Sequence, residues 1–155
     1  MERFAHIAAP GLPGSAQSNS TRCGKLTAVS DVRREQIALC QRFSVETTFA
    51  SDADKVGIAL NVRDPDQRLL NGFRHQPESG TSGWYLWAGD ALDPGDDFFK
   101  PLHVEHIREW RAELLPYLAL PPGWRFLIAD GHEDAWYDPV LADGAKRLTG
   151  AALLK

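Results

Sequence analysis

Alternation of bulky with small or polar positions marks several stretches of the chain as strands. In 124–129, Trp124, Phe126 and Ile128 alternate with Arg125, Leu127 and Ala129 between Pro-Pro-Gly and Asp130-Gly131, a period of two bounded by turn residues. The pattern predicts a hairpin in which 130–133 connects to a partner strand at 134–137, with Gly131 supplying any positive φ the turn needs. In 56–62, Val56, Ile58, Leu60 and Val62 alternate with Gly57, Ala59 and Asn61, predicting a strand with bulky groups on one face, ended by the proline that follows. In 83–90, Trp84, Leu86 and Ala88 share one face and Tyr85 and Trp87 the other. Rings on both faces are expected of a central strand covered on both sides; a face without cover becomes a docking surface. The apolar cluster 69–73 shows no period and stays unassigned.

Two segments carry a helical period instead. Ser30 or Asp31 is placed to cap a helix through about Phe43, with Val32, Leu39 and Phe43 on one side and Ile37 and Cys40 flanking them. A second helix is expected over 103–115, gathering Val104, Ile107, Leu114 and Leu115 on one side with Trp110 at its edge. Glu105, Glu109 and Glu113 form an i, i+4 stripe opposite. Like charges at that spacing cost about a few tenths of a kcal/mol each, so the stripe does not serve helix stability. Pro116 should end or kink the helix. The first 28 residues lack any apolar period and read as a flexible arm; beyond Pro139 only a weak terminal helix is expected. Helices interleaved with strands predict one compact α+β domain over 29–155, a mostly antiparallel sheet with two main helices packed on it.

A length of 155 residues suits one such domain. The net charge of −4 is modest but unevenly placed: eleven carboxylates face four basic groups between Asp90 and Asp138, a local charge of about −7. Such a balance argues against a nucleic-acid ligand and favours a basic protein partner. In the hairpin, Asp130, Glu133, Asp134 and Asp138 crowd around Trp136 and Tyr137. No apolar run approaches the ~18 residues of a membrane span. Cys23 and Cys40 are too few for a disulfide scaffold and are expected to be reduced; with no secretory leader evident in Phe4 to Leu12, the chain is expected in the cytoplasm.

Reactive motifs are scarce. His103 and His106 lie three apart with Asp96, Asp97 and Glu105 nearby in sequence, a combination able to hold Zn²⁺, yet no His-Glu-x-x-His or Cys-His spacing supports a metal site. His132 beside Glu133 and Asp134 has no accompanying nucleophile. Glycines at 57, 72, 80, 83, 89 and 95 build neither a dinucleotide fingerprint nor a P-loop. The expectation is therefore a protein without catalytic residues, metal or cofactor.

Three segments together carry a resemblance: Ser-Gly-Trp-Tyr-Leu-Trp-Ala-Gly-Asp at 82–90, Phe-Phe-Lys-Pro-Leu-His-Val at 98–104 and Leu-Pro-Pro-Gly-Trp-Arg-Phe-Leu-Ile-Ala at 120–129. Over roughly 31–139 the chain resembles the immunity protein 33 family of bacterial polymorphic toxin systems. The resemblance implies a small cytoplasmic protein that binds a cognate secreted toxin and blocks self-intoxication. An inhibitor needs aromatic anchors and charge complementarity instead of reactive groups. The residues expected to meet the toxin are accordingly Trp87, Asp90, Asp93, Asp96, Asp97, Glu105, Glu109, Glu113, His132, Glu133, Asp134 and Trp136, facing a basic, nuclease-like domain. The competing readings are a small metal-assisted hydrolase using His103 and His106, and a ligand-binding or scaffold domain.

Overall fold

A computed structural model of the chain describes residues 20–93 and 95–142, with side chains from Val29 onward. The first 19 residues of the expected arm lie outside that range, as does everything after Ala142. From Ser20 the backbone is already helical, in α1 (Ser20–Arg42). The helix thus begins ahead of the expected cap at Ser30 or Asp31. Asp31 accepts a bond from Arg34 at 3.0 Å, one turn along the same helix, instead of capping it. The stripe that α1 turns inward is Val32, Gln36, Leu39, Cys40 and Phe43, with Ile37 left outside. Gln36 serves there because its amide donates to the Leu115 carbonyl at 2.9 Å.

Six strands form one sheet in the order β4-β1-β3-β2-β5-β6. They are β1 (Lys55–Ala59), β2 (Leu70–Arg74), β3 (Thr81–Ala88), β4 (Phe99–His103), β5 (Trp124–Ala129) and β6 (His132–Tyr137). Every neighbouring pair is antiparallel except β1 and β3, which run parallel. The α+β class and the mostly antiparallel sheet agree with the sequence pattern, and the two-sided aromatic strand β3 is central as expected.

Two boundaries differ, each for a local reason. The β1 strand stops at Ala59, short of Val62, and 60–63 form a 3₁₀ turn. There the Asn61 side chain replaces the backbone ladder: its amide donates to the Ala88 carbonyl at 2.7 Å and its oxygen accepts the Ala88 N–H at 3.1 Å, the local competition with sheet pairing that asparagine favours. The helix expected over 103–115 is broken into a 3₁₀ turn (Val104–His106), α2 (Ile107–Arg111) and a 3₁₀ helix (Ala112–Ala119). His103 belongs to β4, whose end is fixed by bonds from the Val104 and Glu105 N–H groups to the carbonyls of Asp54 and Asp52. Pro116 lacks the N–H that an α-helical bond would require, and the tighter helix carries it.

One face of the sheet, carrying Val56, Ile58, Leu70, Trp84, Leu86 and Phe126, is covered by α1 and the 112–119 helix. The unassigned cluster 69–73 supplies β2, a central strand in this core. Its glycine explains the weak signal: a Cβ on Gly72 would lie 2.3 Å from the Phe126 ring and 2.9 Å from Leu86. The opposite face holds a smaller cluster of Ala59, Phe73, Trp87, Leu92 and Leu141, the last from the short α3 (Pro139–Ala142).

Arg74, 2% exposed, ties these layers together. Its guanidinium donates to the carbonyls of Ser82 (2.9 Å), Thr48 (2.8 Å) and Leu120 (2.7 Å), with Leu118 at 3.5 Å, and lies over the Trp84 ring. Burial lowers its pKa to about 10, so it stays charged at neutral pH.

Two stability outcomes follow from this packing. Gly72→Ala drives a methyl into Phe126 and should cost about 1–3 kcal/mol, measured by urea unfolding. Arg74→Met strands several buried carbonyls at once and should cost about 3–5 kcal/mol, with loss of the folded near-ultraviolet Trp signal under mild denaturant.

Candidate binding surface

The side of the sheet away from α1 carries a row of rings drawn from four of the six strands, β4, β3, β2 and β6. Phe98 and Phe99 meet edge-on at 4.9 Å, Phe99 meets Tyr85 at 5.1 Å, and Tyr85 stacks on Phe73 at 5.2 Å. Arg125 continues the row, its guanidinium 5.9 Å from both Phe73 and Trp136, while Asp138 holds it in place at 3.1 Å. Strand β1 contributes no ring but a gap: a Cβ on Gly57 would lie 2.7 Å from Tyr85, so glycine there lets rings from β3 and β4 meet across it. Aromatic contacts of this kind add about 0.5–1.5 kcal/mol each beyond area burial, and they fix the rings in one arrangement.

Cover over this face is uneven. Trp87 is only 6% exposed, packed with Phe73, Leu92 and Leu141. It is a buried core residue in this conformation, which corrects its expected place on a contact surface. Tyr85, Phe98 and Phe99 are half-buried, and Trp136 is 40% exposed. His75 stands edge-on to Phe73 and Tyr85, and burial there pushes its imidazole below the ordinary range.

The carboxylates divide into separate groups. Alternation along β6 puts His132, Asp134 and Trp136 on the ring-bearing side, opposite Ala129, Leu127 and Arg125 of β5. Asp90, Asp93, Asp96 and Asp97 are exposed in the 89–98 loop, which is seated on the same side by Leu92 and Phe98. Within that loop Asp93 accepts the Gly95 N–H at 2.8 Å and Asp97 pairs with Lys100 at 3.1 Å.

Glu133 points the other way. It accepts a hydrogen bond from the Tyr117 hydroxyl and pairs with Arg42, joining β6 to the 112–119 helix and to the end of α1. Arg42 first and Tyr117 second hold its carboxyl below the usual range, and burial together with Glu133 pushes the Tyr117 hydroxyl upward.

The expected stripe of Glu105, Glu109 and Glu113 is also split. Glu105 and Glu109 rim a groove of about 490 Å³ between α1 and the 104–109 segment, floored by Val32, Val104 and Leu118. Arg33 and Arg108 on the same rim offset their charge. Glu113 falls beside a second groove with Glu35, Arg42 and Glu133 and pairs with Arg111 at 3.4 Å. The tightening from α-helix to 3₁₀ after Arg111 moves Glu113 off the line of Glu109, because a helix of three residues per turn does not keep an i, i+4 stack.

Sequence reasoning missed Arg125, Phe73 and His75 as parts of this surface; the alternation in 124–129 already put Arg125 on the face opposite Trp124, which was the available signal. Among the described residues no helix is long and apolar enough to cross a membrane. Residues 35–138 match the family model of the Imm33-like domain. No curated protein and no solved structure matches the chain.

The titrating groups fix the direction of acid sensitivity. Both His75 and Glu133 have folded pKa values below their unfolded ones, so both contribute stability that is lost on acidification. For His75 the loss begins as pH falls through the unfolded value of 6.5; for Glu133 it begins below its ordinary 4.5 and is complete under the folded value. In urea unfolding across pH, His75→Phe should flatten the upper part of the decline and Glu133→Gln the lower part.

Proposed function

Since this chain belongs to the Imm33-like domain family, we propose that it is an immunity protein that binds a cognate secreted bacterial toxin stoichiometrically and performs no bond-making of its own. The observation that carries the assignment of a surface is the row of rings from Phe98 to Trp136, open at Tyr85, Phe98, Phe99 and Trp136 and flanked by Asp134 and the 89–98 loop. A sheet presents such rings with little conformational freedom left to lose, which favours tight association. Trp136 is the natural anchor: large, amphipathic, and braced from below by Arg125.

The toxin surface that fits is basic. Asp90, Asp93, Asp96, Asp97 and Asp134 give this side of the molecule a run of carboxylates of which only Asp97 has a basic side-chain partner among the described residues. Complementary fields of that kind speed encounter and reject wrong partners, and the nucleic-acid cleft of a nuclease-like domain has the required sign. The cytoplasm of the producing cell is where such a protein protects. Glu105, Glu109, Glu113 and Glu133 lie off this surface, so their contribution is a long-range field and not contact.

Co-expression with a candidate toxin from an adjacent gene, followed by co-purification, tests the reading. Trp136→Ala should weaken binding by about 30-fold, equivalent to about 2 kcal/mol. Asp134→Lys should slow association and reduce its dependence on salt. Wild-type affinity in both variants would remove this face from consideration, and failure of the toxin to co-purify with the unaltered chain would remove the immunity role.

A further inference from the structure

The end of β4 and the turn that follows bring three metal-ligating side chains together. His103 closes the strand in extended conformation (φ −71°, ψ 144°) and Val104–His106 make one 3₁₀ turn. The turn, closed by the Ile107 N–H bonding to the Val104 carbonyl, carries the chain back beside the strand end, and the His103 and His106 rings lie with centroids 6.3 Å apart, tilted 44° to each other. Glu105 joins them: one ligand atom from each of His103, Glu105 and His106 lies within 4.8 Å of the others. From this geometry we propose that His103, Glu105 and His106 form a binding site for a divalent cation of the Zn²⁺ class, oriented by Glu109.

The backbone of the site is fixed before any metal arrives. Val104 is buried, and the N–H groups of Val104 and Glu105 are bonded to the carbonyls of Asp54 (3.0 Å) and Asp52 (3.2 Å). What must move is only the ends of three side chains that reach solvent. Ligand atoms around a tetrahedral Zn²⁺ stand about 3.4 Å apart given bonds of about 2.1 Å, so closure takes shifts on the order of 1 Å through side-chain rotation. No strong contact opposes it. The His106 nitrogens stand 3.6 Å from Glu105 and 3.7 Å from Glu109, too far for hydrogen bonds.

The two distances also divide the roles of the imidazole nitrogens. Nε2 of His106 faces Glu105, the companion ligand, while Nδ1 faces Glu109. A metal on Nε2 leaves the Nδ1–H to donate to the Glu109 carboxylate, the outer partner that fixes the tautomer and raises ligand basicity. Two imidazoles and one carboxylate select borderline cations such as Zn²⁺, Co²⁺ or Ni²⁺ over Mg²⁺ and Ca²⁺, which want oxygen cages. Three protein ligands leave one position for water. The site binds metal independently of whether the chain neutralises a toxin.

Calorimetric titration of the full chain, purified without a histidine tag, with ZnCl₂ alone tests the proposal. The expected result is one Zn²⁺ per chain, no comparable heat with MgCl₂ or CaCl₂, and a Co²⁺ adduct whose visible spectrum is that of a four-coordinate ion. His103→Ala and His106→Ala should each abolish stoichiometric binding, and Glu109→Gln should weaken it by about tenfold or more while leaving the stoichiometry intact. His132→Ala, a histidine on the opposite edge strand, should change nothing. All four positions lie on partly or fully exposed surface, and circular dichroism verifies folding of each variant. Absence of stoichiometric zinc in the unaltered chain, or zinc binding that survives both His103→Ala and His106→Ala, overturns the assignment.

Discussion

The architecture depends on one buried cation. Arg74 leaves the central strand β2 and spreads its guanidinium over carbonyls from β3, the loop before β1 and the end of the 112–119 helix. A guanidinium taken from water costs several kcal/mol unless its donors are met, and here carbonyl dipoles meet them with no ion pair among the described contacts. The arrangement works in both directions. Backbone groups at the end of an irregular helix need donors, and Arg74 supplies them from a planar fork that no lysine reproduces. Loop, sheet and helix are thereby joined at one point, and the face of the sheet beneath α1 is closed.

With one face closed, the other carries the row of rings. Its rings are held by one another, by Arg125 and by the gap at Gly57, so the surface is built of side chains with fixed positions although several are solvent-accessible. Both edges of the sheet resist further strand pairing. Pro101 sits in the middle of edge strand β4, and His132, Glu133 and Asp134 lead edge strand β6, the proline and charge devices that discourage edge-to-edge association. The proposed docking through the ring-bearing face, and not through an added strand, is consistent with that protection.

The strands of strict alternation were legible because a half-buried strand repeats every two residues. The hairpin of β5 and β6 lies where the pattern put it, with the connection reduced to Asp130 and Gly131. Strand β2 was not legible, since Asn71 and Gly72 carry little strand preference and Gly72 is present to admit Phe126. The helix over 103–115 kept its buried positions, Val104, Ile107, Leu114 and Leu115, but not its continuity. An apolar period survives small changes of helical pitch, whereas the exposed glutamates, with nothing to pack against, are redistributed by them. The expected contact residues are not held together by the fold: Trp136, Asp134, His132 and the loop aspartates share a side, while Trp87 is interior and Glu133 is bound to Arg42 and Tyr117.

Taken by itself, the sequence determined the α+β class, the amphipathic faces, the family resemblance and the uneven charge, all properties of local order along the chain. Only the tertiary structure decided that β1 and β3 run parallel, that Arg74 is interior, and that His103, Glu105 and His106 converge beside Glu109. The physical reason is range. Periodicity and propensity act over a few residues, but strand order and the fate of a charged group are set by which surfaces exclude water together, and even neighbours such as His103, Glu105 and His106 are aimed by the strand end and turn that the sheet holds in place.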